Sequence, residues 1–180
     1  MKTRIVVDST ADILPEYLDQ IHTVPLTVSF GEEEYIDGVT MDHRTFYQKL
    51  IETDAMPSTS QASPAAFAEQ YDQAAADDEE VVVITISSKL SGTYQSAMIA
   101  AAGRSSVYVV DSENASVGCG ILVGLALRYL RDGMTASAIA EKLQKDKKKI
   151  VVIALLDTLE YLKRGGRISK AAAFAGGLLN

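Results

Sequence analysis

Val81-Val82-Val83-Ile84-Thr85-Ile86 runs straight into Ser87-Ser88-Lys89-Leu90-Ser91-Gly92-Thr93-Tyr94-Gln95-Ser96. The first six residues are β-branched and almost wholly apolar, without alternation, which is how a strand covered on both faces reads. Ile5-Val6-Val7, Val107-Tyr108-Val109-Val110 and Ile150-Val151-Val152-Ile153-Ala154-Leu155 share that pattern. Between these runs the apolar residues fall at helical spacing over 42–51, 64–76, 92–102, 117–131 and 135–147. Strand and helix therefore alternate, and the expected fold class is α/β, a layered fold around a mostly parallel sheet. Val24-Pro25-Leu26-Thr27-Val28-Ser29-Phe30 reads as a further strand, with Pro25 near an edge because it cannot donate to a ladder.

Several boundaries carry their own chemistry. Ser63-Pro64 supplies an N-cap oxygen and a first helical residue whose missing N–H costs nothing, and Pro15 suits the first turn of a short helix. Gly118, Gly120 and Gly124 lie inside an apolar helical stretch, one residue too widely spaced for a dinucleotide-binding fingerprint, and read as sites of close helix packing. After Leu155 the texture changes: 157–164 is one amphipathic helix, Gly165-Gly166-Arg167-Ile168-Ser169 breaks it, and a helix of small residues follows.

With 180 residues, 47% of them hydrophobic, the chain can bury a full core. Seventeen Lys and Arg face 24 Asp and Glu, a net charge of -7 that leaves no electrostatic footprint for nucleic acid. The basic run Lys145-Asp146-Lys147-Lys148-Lys149 falls at a helix end, where cations suit the dipole and solvent. Cys119 is the single cysteine, so no internal disulfide or thiolate cluster can form, and a reducing compartment fits. No apolar run is long enough for a signal peptide or a transmembrane segment, and a cytoplasmic location is expected.

Chemistry concentrates at two hydroxyl-rich segments. Ser91 stands at a helix start beside unsatisfied N–H groups, with Gly92 allowing a ligand to approach, so it could help hold an anion or simply cap its own helix. Pro57-Ser58-Thr59-Ser60-Gln61 precedes another helix. Loops leaving the carboxyl ends of strands converge on one crevice in such folds, so Thr59 and Ser91 could reach the same oxygens, with Ser60, Gly92 and Thr93 in support. Neutral hydroxyls suit a carboxylate, and an ordinary turn remains the alternative. Asp8-Ser9-Thr10-Ala11-Asp12 could form a third wall or be a turn, and the turn reading is favoured. No phosphate loop, nucleophile elbow or metal-ligand cluster is present, which sets nucleotide, hydrolase and metal chemistry aside, with His43 as the remote candidate base for Ser91.

Taken in order, Val6-Val7-Asp8-Ser9-Thr10-Ala11-Asp12, Val24-Pro25-Leu26, Thr59-Ser60-Gln61 with Ser63-Pro64, the segment from Ile86 to Ala97, Val110-Asp111-Ser112, and the segment from Leu159 to Ile168 resemble the DegV family. The resemblance implies a non-enzymatic protein that buries a long-chain fatty acid in a tunnel between two domains. It implies that Thr59 and Ser91 bind the carboxylate and that Arg167 stands near it, at the docking surface for a separate ATP-using fatty acid kinase subunit. No cofactor is implied beyond the lipid itself. Residues 1–155 would form the N-terminal α/β domain and 156–180 the start of a second, lipid-binding domain that breaks off. A hydroxyl-dependent acyl or phosphoryl transferase and a purely structural assembly domain are the alternative functions.

Overall fold

The computed structural model describes residues 2–168. Its centre is a four-stranded parallel sheet of β1 (Lys2–Asp8), β2 (His22–Val24), β6 (Glu79–Thr85) and β7 (Val107–Asp111), in the spatial order β2-β1-β6-β7. The expected α/β fold around a mostly parallel sheet is thus present. Val81 to Ile84 are fully buried because the sheet is covered on both faces.

Alternation along β1 and β6 sorts the core into two layers. Ile5, Val7, Val82 and Ile84 face α4 (Val117–Arg131) and α5 (Ala136–Asp146), which contribute Leu122, Leu127, Ile139 and Leu143. Val6, Val81 and Val83 face the opposite way, against Phe67 and Tyr71 of α2 (Pro64–Ala76) and Ala97 of α3 (Thr93–Ala101). Ser63 Oγ accepts from Ala66 N at 3.1 Å with Pro64 behind it, as the Ser-Pro pair predicts. Space is short at all three glycines of α4: a Cβ would clash at 2.0 Å from Asp12 O at Gly120 and 2.6 Å from Asn114 Oδ1 at Gly118, and would fit only tightly, 3.2 Å from the Tyr17 ring, at Gly124.

A second, antiparallel sheet is built by β3 (Thr27–Phe30), β4 (Glu33–Ile36) and β5 (Pro57–Ser60), in the order β4-β3-β5. The strand expected over 24–30 is therefore two strands in two sheets. Pro25 and Leu26 break it, and Asp37 N donates to Leu26 O at 3.0 Å to start the new sheet. Val28 and Phe30 pack there against Met41 and, through Phe46, against α1 (His43–Glu52), which Asp42 caps through a 2.7 Å bond from Thr45 N.

Two other expectations fail. Residues 150–155 form no strand: Val151, Ile153 and Leu155 are 80%, 90% and 99% exposed, and the run finds no partner strand among the described residues. β-Branched composition supplies propensity, but a ladder needs a neighbour. The basic run is only partly a solvated helix end, since Lys147 is 6% exposed, its Nζ donating to Asp111 O at 2.8 Å and pairing with Glu113 at 2.8 Å. Asp146 beside it accepts from Tyr129 and Lys149, each at 2.7 Å, which hold its carboxyl well below the usual carboxylate range. The amphipathic segment 157–164 forms the short helix α6 (Glu160–Arg164). The small-residue helix expected after Ser169 lies outside the described residues.

Candidate functional site

β1 and β6 are neighbours in space, yet the segments that follow them turn to opposite faces of the sheet. Ile13 and Tyr17, after β1, pack on the α4–α5 layer, whereas α3, after β6, packs on the α2 layer. A crevice must open where such connections diverge. Asp8 ties the two segments together: one carboxylate oxygen accepts from Thr10 N at 3.0 Å and from the Thr10 hydroxyl, and the other accepts from Ile86 N at 2.6 Å. Burial pushes the Asp8 carboxyl up, and the bonds from Thr10 and Ile86 oppose that shift. The 8–12 segment is therefore the expected turn, and Thr10 also reaches the cavity wall. Asp8 and Asp12 do not form a cation site, for Asp12 instead accepts from the Ser116 hydroxyl. Among the described residues there is no group of three or more His, Cys, Asp or Glu able to hold a metal.

The cavity encloses about 450 Å³ and brings Thr59, Ser91 and Arg167 to one wall set, together with Thr10 and Asp37. The rest of its lining is apolar, from Leu26, Val28, Ile86, Leu90, Leu162 and Ile168. Thr59 sits on β5 directly opposite Val28, on a strand rather than in the loop expected from its hydroxyl-rich neighbours. Its side chain is exposed and has no hydrogen-bond partner among the described residues. Ser60, next along β5, alternates to the other face and does not line the cavity.

Ser91 lines the cavity and bonds locally at the start of α3, whose N-cap is Gly92. Its Oγ accepts from Thr93 N at 3.3 Å, a helix-start bond, and lies 2.9 Å from Thr93 Oγ1. Thr93 is wholly buried, and its O–H must find an acceptor, which Ser91 Oγ provides. When the Thr93 hydroxyl donates in that pair, the Ser91 proton is free to donate elsewhere. Arg167 lines the cavity too: Nη1 donates to Gly165 O at 2.6 Å and Nε to Leu90 O at 3.4 Å, which sets the guanidinium one residue from Ser91. An anion at the two hydroxyls would find that cation beside it and Asp37 as a like charge across the wall.

No histidine or lysine lines this cavity among the described residues. His43 lines a neighbouring one of about 390 Å³, with Asp8, Asp12 and Asp37. Cys119 is buried and its thiol is pushed up to about 12, so it is no nucleophile at neutral pH. Thr10 belongs to the segment offered as a possible third wall, while Asp37 and the apolar wall were not anticipated. The turn signal of Asp37-Gly38, with Gly38 at φ +72°, was the available clue.

The family model described as "Uncharacterised protein, DegV family" matches residues 2–180. This chain belongs to the DegV family. A DegV domain-containing protein of Caldanaerobacter subterraneus is 39% identical over 184 residues, which cover 99% of this chain and 65% of its own. Among solved structures, a DegV family protein from Thermus thermophilus described for fatty acid binding superposes with a TM-score of 0.85 at 39% identity, over 100% of this chain and 65% of that one. A stearic acid-binding protein from Eubacterium ventriosum gives 0.84 at 32% identity, over 98% and 64%. This DegV chain thus spans just under two thirds of the length of the relatives it matches. Among its described residues no helix is long and apolar enough to cross a membrane.

Proposed function

We propose that this DegV chain binds a long-chain fatty acid. Thr59 and Ser91 donate hydrogen bonds to the carboxylate, and Arg167 stands at the mouth. The observation that carries this reading is the convergence of two hydroxyls from different segments and a guanidinium on one cavity whose remaining walls, apart from Thr10 and Asp37, are aliphatic. Hydroxyl donors and a nearby cation suit a carboxylate, whereas the aliphatic wall suits an acyl chain and nothing strongly polar. The fatty acids bound by the Thermus and Eubacterium proteins agree with that chemistry. The chain acts as a carrier rather than an enzyme, presenting the carboxylate at the mouth to a separate ATP-using kinase subunit in the cytoplasm. Among the described residues the cavity sets no histidine or lysine beside Ser91, and Asp37 is its one carboxylate.

Native mass spectrometry of the chain purified from bacterial cells is expected to show one co-purifying long-chain acid per protein. In a displacement series of saturated acids, affinity is expected to fall about fourfold for each methylene removed, the equivalent of ~0.8 kcal/mol per buried CH₂. A ligand-free protein that also takes up no added acid would overturn the reading.

A further inference from the structure

Gly92 has φ -74° and ψ 1°, a conformation open to any residue, so glycine is not there for its backbone freedom. It is there for space. A Cβ at position 92 would lie 1.9 Å from Gln61 Oε1, 2.8 Å from its Cδ and 3.1 Å from its Nε2. Gln61 in turn donates from Nε2 to the Oγ of Ser96, at 2.8 Å, and Ser96 is buried in the first turns of α3. One side chain thus crosses the bare Cα of residue 92 and ties the end of β5 to α3.

The place of this tie gives it its consequence. Thr59 precedes Gln61 by two residues, and Ser91 precedes Gly92 by one. Thr59 belongs to the antiparallel sheet and Ser91 to the loop leaving the parallel one, so no ladder sets their separation. Along the chain they are joined only through α2 and β6. Among the described residues the Gln61–Ser96 bond is the one hydrogen bond between 57–61 and 87–97. Two donors shared by one carboxylate must both stay within hydrogen-bond reach of it, and bonds weaken steeply once the geometry opens.

We propose that Gln61 is a positioning residue that sets the separation of the Thr59 and Ser91 hydroxyls, with Gly92 as the recess that receives it. The inference rests on the carboxylate reading of the cavity. Gln61 does not touch the ligand; it acts through the two segments it joins.

The test compares oleate with oleyl alcohol by displacement of a fluorescent acid from the whole chain. Loss of the tie in Q61A is expected to weaken oleate about tenfold, the scale of one hydrogen bond lost or misaligned, while the alcohol stays within about twofold. S96A should match Q61A, and Q61A/S96A should be no worse than either. G92A should push the Gln61 amide aside and mimic Q61A, yet add nothing in a Q61A background. Unchanged oleate affinity in Q61A, equal losses for acid and alcohol, or losses that multiply in the double variant would each overturn the inference. If the unaltered chain binds neither ligand, the carboxylate reading itself fails, and amide hydrogen exchange decides the positioning role. Faster exchange in Q61A at both 58–60 and 93–96 supports the tie, and unchanged exchange there overturns it.

Discussion

The double variant T59V/S91A is expected to bind oleate about 100-fold more weakly than the unaltered chain, since two hydrogen bonds to a charged group at ~1.5 kcal/mol each are removed together. Oleyl alcohol, with no charge to satisfy, should lose about tenfold at most. Each single variant should account for roughly half of the acid's loss on a logarithmic scale. Stability should scarcely move in T59V, because Thr59 is exposed and its hydroxyl has no partner among the described residues, so a change within about 0.5 kcal/mol is expected. S91A removes the acceptor for Thr93 N and for the buried Thr93 hydroxyl, and about 1 kcal/mol of stability should go with it. Equilibrium urea unfolding run beside the binding assay separates the two effects.

The largest effect on stability is expected away from the cavity, at Phe67. This ring is fully buried in the layer between α2 and the parallel sheet, in the cluster that holds Val6, Val83 and Ala97. Its centroid lies 6.2 Å from that of Tyr71, whose hydroxyl donates to Ala97 O at 3.2 Å and so fixes α2 against α3. F67A removes a packed aromatic side chain from between rigid elements that cannot close the space, and about 3–5 kcal/mol should be lost. The urea midpoint should fall by about 2 M for a slope near 2 kcal/mol/M. A midpoint within 0.5 M of the unaltered chain, as a rough bound on the same slope, would mean that α2 repacks freely.

How far the fold could be read from residues follows from where each element's pattern originates. β1, β6 and β7 are legible because burial on both faces leaves continuous β-branched runs, a signature internal to the strand. β4 is not: Glu33-Glu34-Tyr35-Ile36 is largely exposed and polar, and it becomes a strand through pairing with β3 across the turn that Gly31 makes at φ +62°. β5, Pro57-Ser58-Thr59-Ser60, reads as a turn for the same reason. The run at 150–155 shows the converse, strand composition without a neighbour to pair with. In the cavity, Thr59 and Ser91 stand out by residue type, whereas Arg167 is marked only by the resemblance to the DegV family. Asp37 and the proposed tie of Gln61 depend on layers that meet only in the folded chain, and the turn signal at Asp37-Gly38 marks a bend without saying what it faces. Lys147 belongs with them, since its burial depends on Asp111 and Glu113, which lie far off along the chain.

The carboxylate's contact with the two hydroxyls is tested most directly by the ¹³C resonance of carboxyl-labelled palmitate bound to the chain. One bound resonance, distinct from that of the free acid, is predicted. It should move in T59V and again in S91A, and stay in place in K148A, which alters an exposed side chain outside the cavity. A bound resonance identical in the unaltered chain, T59V and S91A would contradict the account, because the carboxylate would then be held elsewhere.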